Sequence, residues 1–514
     1  MSKEIKMFRA PPLEEEIWGF RLYDQQDRQL VFLEFLFAVF NASGKPTDKG
    51  IKTPLISGSS HLVLRALLFS NTEINFCSNW DEWIEKFSKH MEDKFFSLTN
   101  WNANSLKQTF ISFDEFRQVL VVIRQSLDKK DADRNWYYKF LFPWSKNQIF
   151  PDVEYDRENS EAFNLLCARH YFVHTGELAY LLCLLSDKHE DLLNAIKVKF
   201  QSSSNPLARL CSLVEEGFSD NPVVSLPENG TFLPGNSLQD PNVKIRAEWM
   251  AEDILSVLNL NLKNEDSADF LSRIIGLHLI CYYLERAKYI AQDLRLKGDG
   301  NIFMLCEIVQ PESTPVRKQA RLNFQQNQKL GLQVLLENFN KKISAVENAK
   351  PENRESVYQL EFNTKKRLYD DEKDKIEYDF PFFKNEIKKS LEKKFIKHLG
   401  YFHQRMAIDI GLASRDFTIT YRYTLSDELL LTLVYSVVKK SFVPMKIFLR
   451  EIKSRYGIII DETSAQAFSG QLEIETNDLV MNYKRLLRQL NGLGLLYHLS
   501  DGCDYVLNPY ILAE

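Results

Sequence analysis

Apolar residues recur at helical spacing along the first two hundred positions. "RQLVFLEFLFAVFNAS", Arg28 to Ser43, is an apolar run with a polar stop and predicts a helix. "SGSSHLVLRALLFS", Ser57 to Ser70, opens on small capping residues and predicts another. "SFDEFRQVLVVIRQSL", Ser112 to Leu127, places Glu115 three residues after Ser112, the signature of a capping box. "LAYLLCLLS" and "HEDLLNAIKVKF" extend the string of helices to about residue 215. Ser219 to Pro241 then carries Pro222, Pro227, Pro234 and Pro241, a density that excludes regular helix and predicts a linker or long surface loop.

Helical spacing resumes in "KIRAEWMAEDILSVLNLNL" and "SADFLSRIIGLHLICYYLERAKYIAQDL". From Ile274 to Tyr283 the second is apolar around its whole circumference, so neighbours must cover it on several sides. Residues 347–379 turn to dense alternating charge, either a solvated helix or a hinge. In "FFKNEIKKSLEKKFIKHLGYFHQR", Ile387, Leu391, Phe395 and Leu399 fall four apart and form a packing face. Lys388, Lys389, Lys393, Lys394 and Lys397 make the remainder basic and are expected to aid nucleic-acid contact.

The last segment reads most clearly. "SDELLLTLVYSVV" has Ser426 or Asp427 as its cap. "VPMKIFLREIKSRYGI" opens at Pro444 and stops at Gly457. "NDLVMNYKRLLRQLNGLG" runs from an Asn477 or Asp478 cap to a Gly492 stop. "LLYHLSDGCDYVLNPY" is two alternating runs around Asp501-Gly502, a hairpin signal. In the third helix Leu479, Tyr483, Leu486, Leu487 and Leu490 share the inward side, and Met481, Lys484, Arg485 and Arg488 the other. Three helices followed by a hairpin resemble a winged-helix domain over residues 426–514. That resemblance implies that the basic face of the third helix reads a DNA groove, arginine to guanine edges and lysine to phosphate. Acidic Asp501 and Asp504 near the hairpin tip, with Ser500, work against phosphate there. "FLREIKSRYGIIID" and "SDGCDYVLNPY" also look similar to tail modules of accessory proteins in bacterial DNA-defence systems.

Together these patterns predict a mostly α, multi-domain protein with a C-terminal winged-helix-like domain (three helices plus a β-hairpin). Its parts are an N-terminal helical domain (1–218), a linker (219–241), a middle helical domain (242–346), a charged connector with a basic helix (347–425) and the winged-helix-like domain (426–514). A chain of 514 residues exceeds one ordinary core, and only 19 Gly and 17 Pro suit long helices. A net charge of −5 excludes a wholly basic coat protein and leaves room for a local basic patch. The seven cysteines form no CxxC pair, which argues against zinc knuckles and disulfides and for buried thiols in a reducing compartment. "MSKEIKMFRAPPLEEEIW" lacks the apolar stretch of a signal peptide, and no apolar run reaches the ~20 residues of a membrane span. The expectation is a cytoplasmic protein with no membrane partner. No phosphate loop, GxGxxG, HExxH or GxSxG is present, so no cofactor and no metal are expected.

One short stretch carries candidate catalytic chemistry. "RHYFVH" resembles the HEPN-type ribonuclease pattern at Arg169, His170 and His174. The resemblance implies a histidine that moves a proton, an arginine that stabilises the pentacovalent phosphate, and a dimer. "RIIGLH", Arg273 to His278, repeats the spacing with Ile after the arginine, and His278 there reads as a satisfied core histidine. Thr175-Gly176 directly after His174 points instead to a helix–turn–helix junction, with Thr175 as a cap and polar side chains at a core edge. Cys167, His170, His174 and Glu177 would align on one continuous helix, yet four ligands from one helix do not close a tetrahedron. The favoured expectation is a non-catalytic nucleic-acid-binding or adaptor subunit of a larger bacterial assembly that handles foreign DNA, as in anti-phage defence. DNA and other protein subunits of that system are the expected partners. The alternatives are a ribonuclease using Arg169 and His174, and a helical scaffold that touches only proteins.

Overall fold

The computed structural model describes residues 13–19, 27–41, 56–57, 67, 76–94, 101–125, 153–155, 165–167, 175–200, 206–217, 223–224, 240–296, 302–309, 314–362, 370–415, 420–468, 470, 472–499 and 503–511. The fold is mostly α, as the apolar spacing predicts. The N-terminal part holds α1 (Leu13–Trp18), α2 (Arg28–Asn41), α3 (Trp80–Lys94), α4 (Asn104–Thr109), α5 (Phe113–Gln125), α6 (Thr175–Leu184), α7 (His189–Phe200) and α8 (Pro206–Glu216). At the start of α5 the serine half of the capping box is made, Glu115 N donating to Ser112 Oγ at 3.2 Å, while the Glu115 carboxylate accepts from Ile111 N at 2.7 Å, one residue before the cap. Trp80, Trp83, Phe113 and Phe116 interlock between α3 and α5, with Trp80 stacked on Phe116 at 4.9 Å.

Short strands interrupt these helices: β1 (Ile56–Ser57), β2 (Val153–Tyr155), β3 (Leu165–Cys167) and β4 (Val223–Val224). Ser57, expected to cap a helix, lies in β1 and pairs with Val223 of the proline-rich segment. Small capping residues are equally at home in extended backbone, and the partner strand is remote in sequence.

The middle of the chain comprises α9 (Pro241–Leu258), α10 (Asn264–Asp293), β5 (Met304–Leu305), α11 (Pro315–Glu347), α12 (Arg354–Glu361), α13 (Asp370–Tyr378), α14 (Phe380–Lys397), α15 (Leu399–Asp409), β6 (Ala413–Arg415) and β7 (Tyr421–Tyr423). Pro241 is the first residue of α9 rather than the last of a loop. Asp240 accepts from Asn242 N at 3.0 Å, and a proline is at home in a first turn. Within the charged stretch after residue 347, Arg354–Glu361 and Asp370–Tyr378 are helical, as α12 and α13.

α10 is the hub. It is buried along most of its length from Ser267 to Ala291, and α1, α2, α9, α11 and α15 pack around it. At Gly276 a Cβ would meet Ile410 and Met406 within 3 Å, so the glycine is what lets the chain around α15 approach α10 closely. The C-terminal segment adds α16 (Asp427–Val437), β8 (Phe442–Pro444), α17 (Met445–Tyr456), β9 (Ile458–Ile459), α18 (Glu462–Ala465), α19 (Thr476–Gly492), β10 (Leu496–His498) and β11 (Asp504–Leu507). β10, β11 and β8 form one antiparallel sheet in that order, with Leu496, Val506 and Val443 in register. This segment is joined to the body. β9 pairs in parallel with β5, α16 and α17 pack on α10, and their buried residues belong to the same apolar cluster.

Helix ends in this segment follow simple capping chemistry. Ser426, not Asp427, caps α16, accepting from Leu429 N at 3.2 Å. Gly457 closes α17 in the left-handed region at φ 71°. α19 differs from expectation at its start. It begins at Thr476, so Asn477 and Asp478 lie inside the first turn; it ends at Gly492, as expected, and the left-handed turn that follows is made at Gly494, φ 71°. Leu495 N donates to Leu490 O at 2.9 Å and Gly494 N to Asn491 O at 3.0 Å, a turn that returns the buried Leu495 to the core. Cys77, Cys183, Cys281 and Cys306 are buried free thiols, and Cys503 is exposed. Among the described residues no helix is long and apolar enough to cross a membrane.

Candidate functional site

The orientation of α19 is set from below. Leu479, Leu486 and Leu490 are buried, and between them the fully buried Asn482 is held by three main-chain groups. It accepts from Ile308 N at 2.9 Å and donates to Cys306 O at 3.0 Å and Ile460 O at 2.9 Å. That amide bonds to the chain just beyond β5 and β9, so α19 has one allowed rotation. Its outer face then carries Met481, Lys484 and Arg488 exposed, with Arg485 half-buried. Lys484, Arg485 and Arg488 make no ion pair with another described residue. In the adjoining hairpin Asp504 accepts from Tyr483 OH at 3.4 Å and lies 2.6 Å from His498 Nδ1, so this carboxylate is engaged locally. Asp501 and Ser500 lie outside the described residues.

The basic helix α14 packs through Ile387, Leu391 and Phe395, as its spacing predicts. Its lysines are not equivalent. Lys388, Lys389, Lys393 and Lys397 are exposed, but Lys389 pairs with Glu386 at 2.9 Å, and Lys394 reaches back to the buried Glu14 of α1 at 3.6 Å. α14 lies along the C-terminal half of α11, with Lys384 at Glu347 and Phe395 at Gly331, whereas Leu479 of α19 packs with Val316 and Ala320 at the other end. A 33-residue helix is roughly 50 Å long, so the two basic sets are separated along it.

Arg169, His170 and His174 lie outside the described residues. Their flanks are informative. Cys167 is in β3, paired with Val153, and α6 begins at Thr175. A single helix carrying Cys167 and Glu177, the premise of a metal reading, is therefore absent. Among the described residues no cluster fit to hold a metal ion occurs. Gly176 N donates to the Glu34 carboxylate at 2.6 Å, and a Cβ there would collide with Val31 O, so this junction is a point of close approach between α6 and α2.

The spacing match at Arg273 and His278 separates in space. Arg273 bonds Asp269 on its own helix, and His278 is fully buried. His278 opens a polar network that sequence reasoning missed. Its Nε2 lies 3.0 Å from Asp253 Oδ2, and its Nδ1 lies 3.2 Å from Arg246 Nη1. Because Arg246 can only donate, Nδ1 accepts and the ring proton sits on Nε2, facing Asp253. Asp253 also accepts from Tyr456 OH at 2.5 Å and Arg455 Nη1 at 2.9 Å. Burial holds His278 down to about 4, against the pull of Asp253. Beside it burial alone would raise Glu252, but hydrogen bonds from Lys188, Arg455 and Lys439 outweigh it and hold the carboxyl at about 2. A second buried carboxylate, Glu307, takes Arg317 at 2.9 Å and Arg422 at 2.5 Å. The signal available in the sequence was a polar residue amid an apolar helical run, as at Asp253 and His278, without its partner.

Beside this network a cleft of about 560 Å³ opens between α9, α10 and α17. Arg246 lies on its wall, donating to both oxygens of Glu285 at 2.5 and 3.1 Å. In comparisons with known proteins the chain matches no family model, no curated protein and no solved structure.

Proposed function

We propose that residues 426–511 form a winged-helix-like module that binds duplex DNA through the outer face of α19, and that the helical body acts as the adaptor holding it within a larger assembly. The observation that carries this reading is the sheet order β10–β11–β8 combined with an outward basic face on the helix before the hairpin. In a winged helix the strand between the first two helices closes onto the hairpin, which is the position of β8 here. Lys484, Arg485 and Arg488, without ion partners among the described residues, are available to phosphates and guanine edges, and Met481 to a thymine methyl.

The test is binding of the full chain to labelled duplex across a salt series, beside a variant carrying Lys484→Ala, Arg485→Ala and Arg488→Ala. Removing one phosphate-neutralising side chain lowers the slope of log affinity against log salt by about 0.9. The expected result is weaker binding and a slope lower by roughly 2 to 3 in the triple variant. A Lys388→Ala, Lys397→Ala variant on the remote α14 is expected to bind as the parent does. Equal binding by the parent and the triple variant overturns the reading.

A further inference from the structure

The cleft between α9, α10 and α17 has a composition at odds with the rest of the chain. The protein is net acidic, at −5, yet Arg246, Lys288, Arg450 and Lys453 line this cleft against one carboxylate, Glu285. Arg246 and Glu285 neutralise each other, which leaves the lining with an excess of positive charge in a concave site. Lys453 makes no ion pair with a described residue. Its ammonium sits over the Phe468 ring at 5.7 Å. Arg450 reaches Glu451 only at 3.9 Å, with its side chain 71% exposed.

The floor is of the opposite character. Cys281, Leu284, Met304 and Tyr456 are buried there and present apolar surface. Trp249 stands at the wall, its indole fixed by the Arg246 guanidinium 5.2 Å above the ring centroid. Arg246 is itself held by Glu285 and His278, so the aromatic wall is preorganised by the buried network. A volume of about 560 Å³ falls within the ~300–1,000 Å³ typical of small-molecule sites.

We infer that this cleft binds a free nucleotide, with the planar base against Trp249 and the apolar floor and the phosphates on Lys453 and Arg450. A ligand with one flat apolar end and one anionic end satisfies both halves of the site. A bare anion leaves the floor empty, and a neutral nucleoside brings no charge to answer Arg450 and Lys453.

The experiment is titration of the full chain with ADP, GDP, CDP and UDP without divalent metal, read by calorimetry and by quenching of Trp249 emission against a Trp249→Phe control. At least one diphosphate is expected to bind below about 1 mM, with the matching nucleoside and inorganic pyrophosphate each at least ~10-fold weaker. Arg450→Ala with Lys453→Ala, both at the cleft mouth, is expected to weaken the diphosphate about 10-fold while leaving the melting temperature unchanged. The α19 triple variant is expected to bind the diphosphate normally, which separates this site from DNA binding. No binding by any of the four, binding unaffected by the double variant, or pyrophosphate binding as tightly as the diphosphate would each overturn the assignment.

Discussion

Two buried histidines set how this protein responds to acid. His278 is held at about 4 and His403 at about 3, both by burial. In the unfolded chain each takes up a proton near its ordinary 6.5, so stability falls as pH drops through that value toward 4. Asp409 works the other way. Burial raises it to about 6 although Arg405 opposes, so its protonation stabilises the fold below that pH. At about 1.4 kcal/mol per pKa unit, the histidines together cost roughly 6 kcal/mol at pH 4 and Asp409 returns roughly 2. The histidines win, and the melting temperature is expected to fall steeply between pH 6.5 and 4.5. His403→Gln, which can keep the bond to Tyr423 OH, is expected to remove most of that fall, since Asp409 then offsets much of what His278 costs. Equal pH profiles for parent and variant would show that His403 has no part in it. His278 was legible as a core residue, since a lone histidine in a run that is apolar all round has nowhere to point but inward. Its partners were not. Asp253 meets Arg455 across 202 positions, and Glu307 meets Arg422 across 115, distances at which a single sequence carries no pairing information.

At the scale of elements, helices were read from spacing and their ends from chemistry that several residues shared. The capping box at Ser112 and the stop at Gly457 were legible because one residue type fitted one role. "NGLG" at the end of α19 offered two glycines for the left-handed turn, and tertiary packing chose Gly494, since Leu495 has to return to the core. This distinction is measurable. Gly494→Ala is expected to destabilise by about 1 kcal/mol, because the left-handed conformation penalises a side chain even though open space surrounds it. Gly492→Ala, inside the helix with nothing within 4 Å, is expected to stabilise by up to about 1 kcal/mol. Denaturant midpoints of the two variants should move in opposite directions, and a shared direction would place the helix end elsewhere. The outer face of α19 was likewise legible from its leucines, but the clamp on Asn482 was not, because an asparagine in a basic helix reads as surface.

At the scale of the molecule, the C-terminal segment is read as an element order of its own and yet shares its interior with the body. β9 needs β5, Arg455 needs Asp253 and Asn482 needs Cys306 and Ile308. Residues 426–511 produced alone lose all of these partners and expose the faces of α16 and α17 that cover α10. Such a fragment is expected to give no cooperative thermal transition, whereas the full chain unfolds the segment together with the body. A sharp transition in the isolated fragment would show that its own sheet and helices suffice. This wiring also puts the cleft beside α17 in contact with the module proposed to bind DNA, since Tyr456 at its floor and Arg455 share Asp253.

The central position of α10 has a consequence for synthesis. Helices that cover it come from both sides of the chain, α1, α2 and α9 before it and α11, α15, α16 and α17 after it. A ribosome adding about 5–20 residues per second leaves this apolar rod uncovered for roughly 10–30 s before α17 emerges. During that interval the nascent chain carries a sticky, half-dressed helix, and holdase chaperones are the natural cover for it.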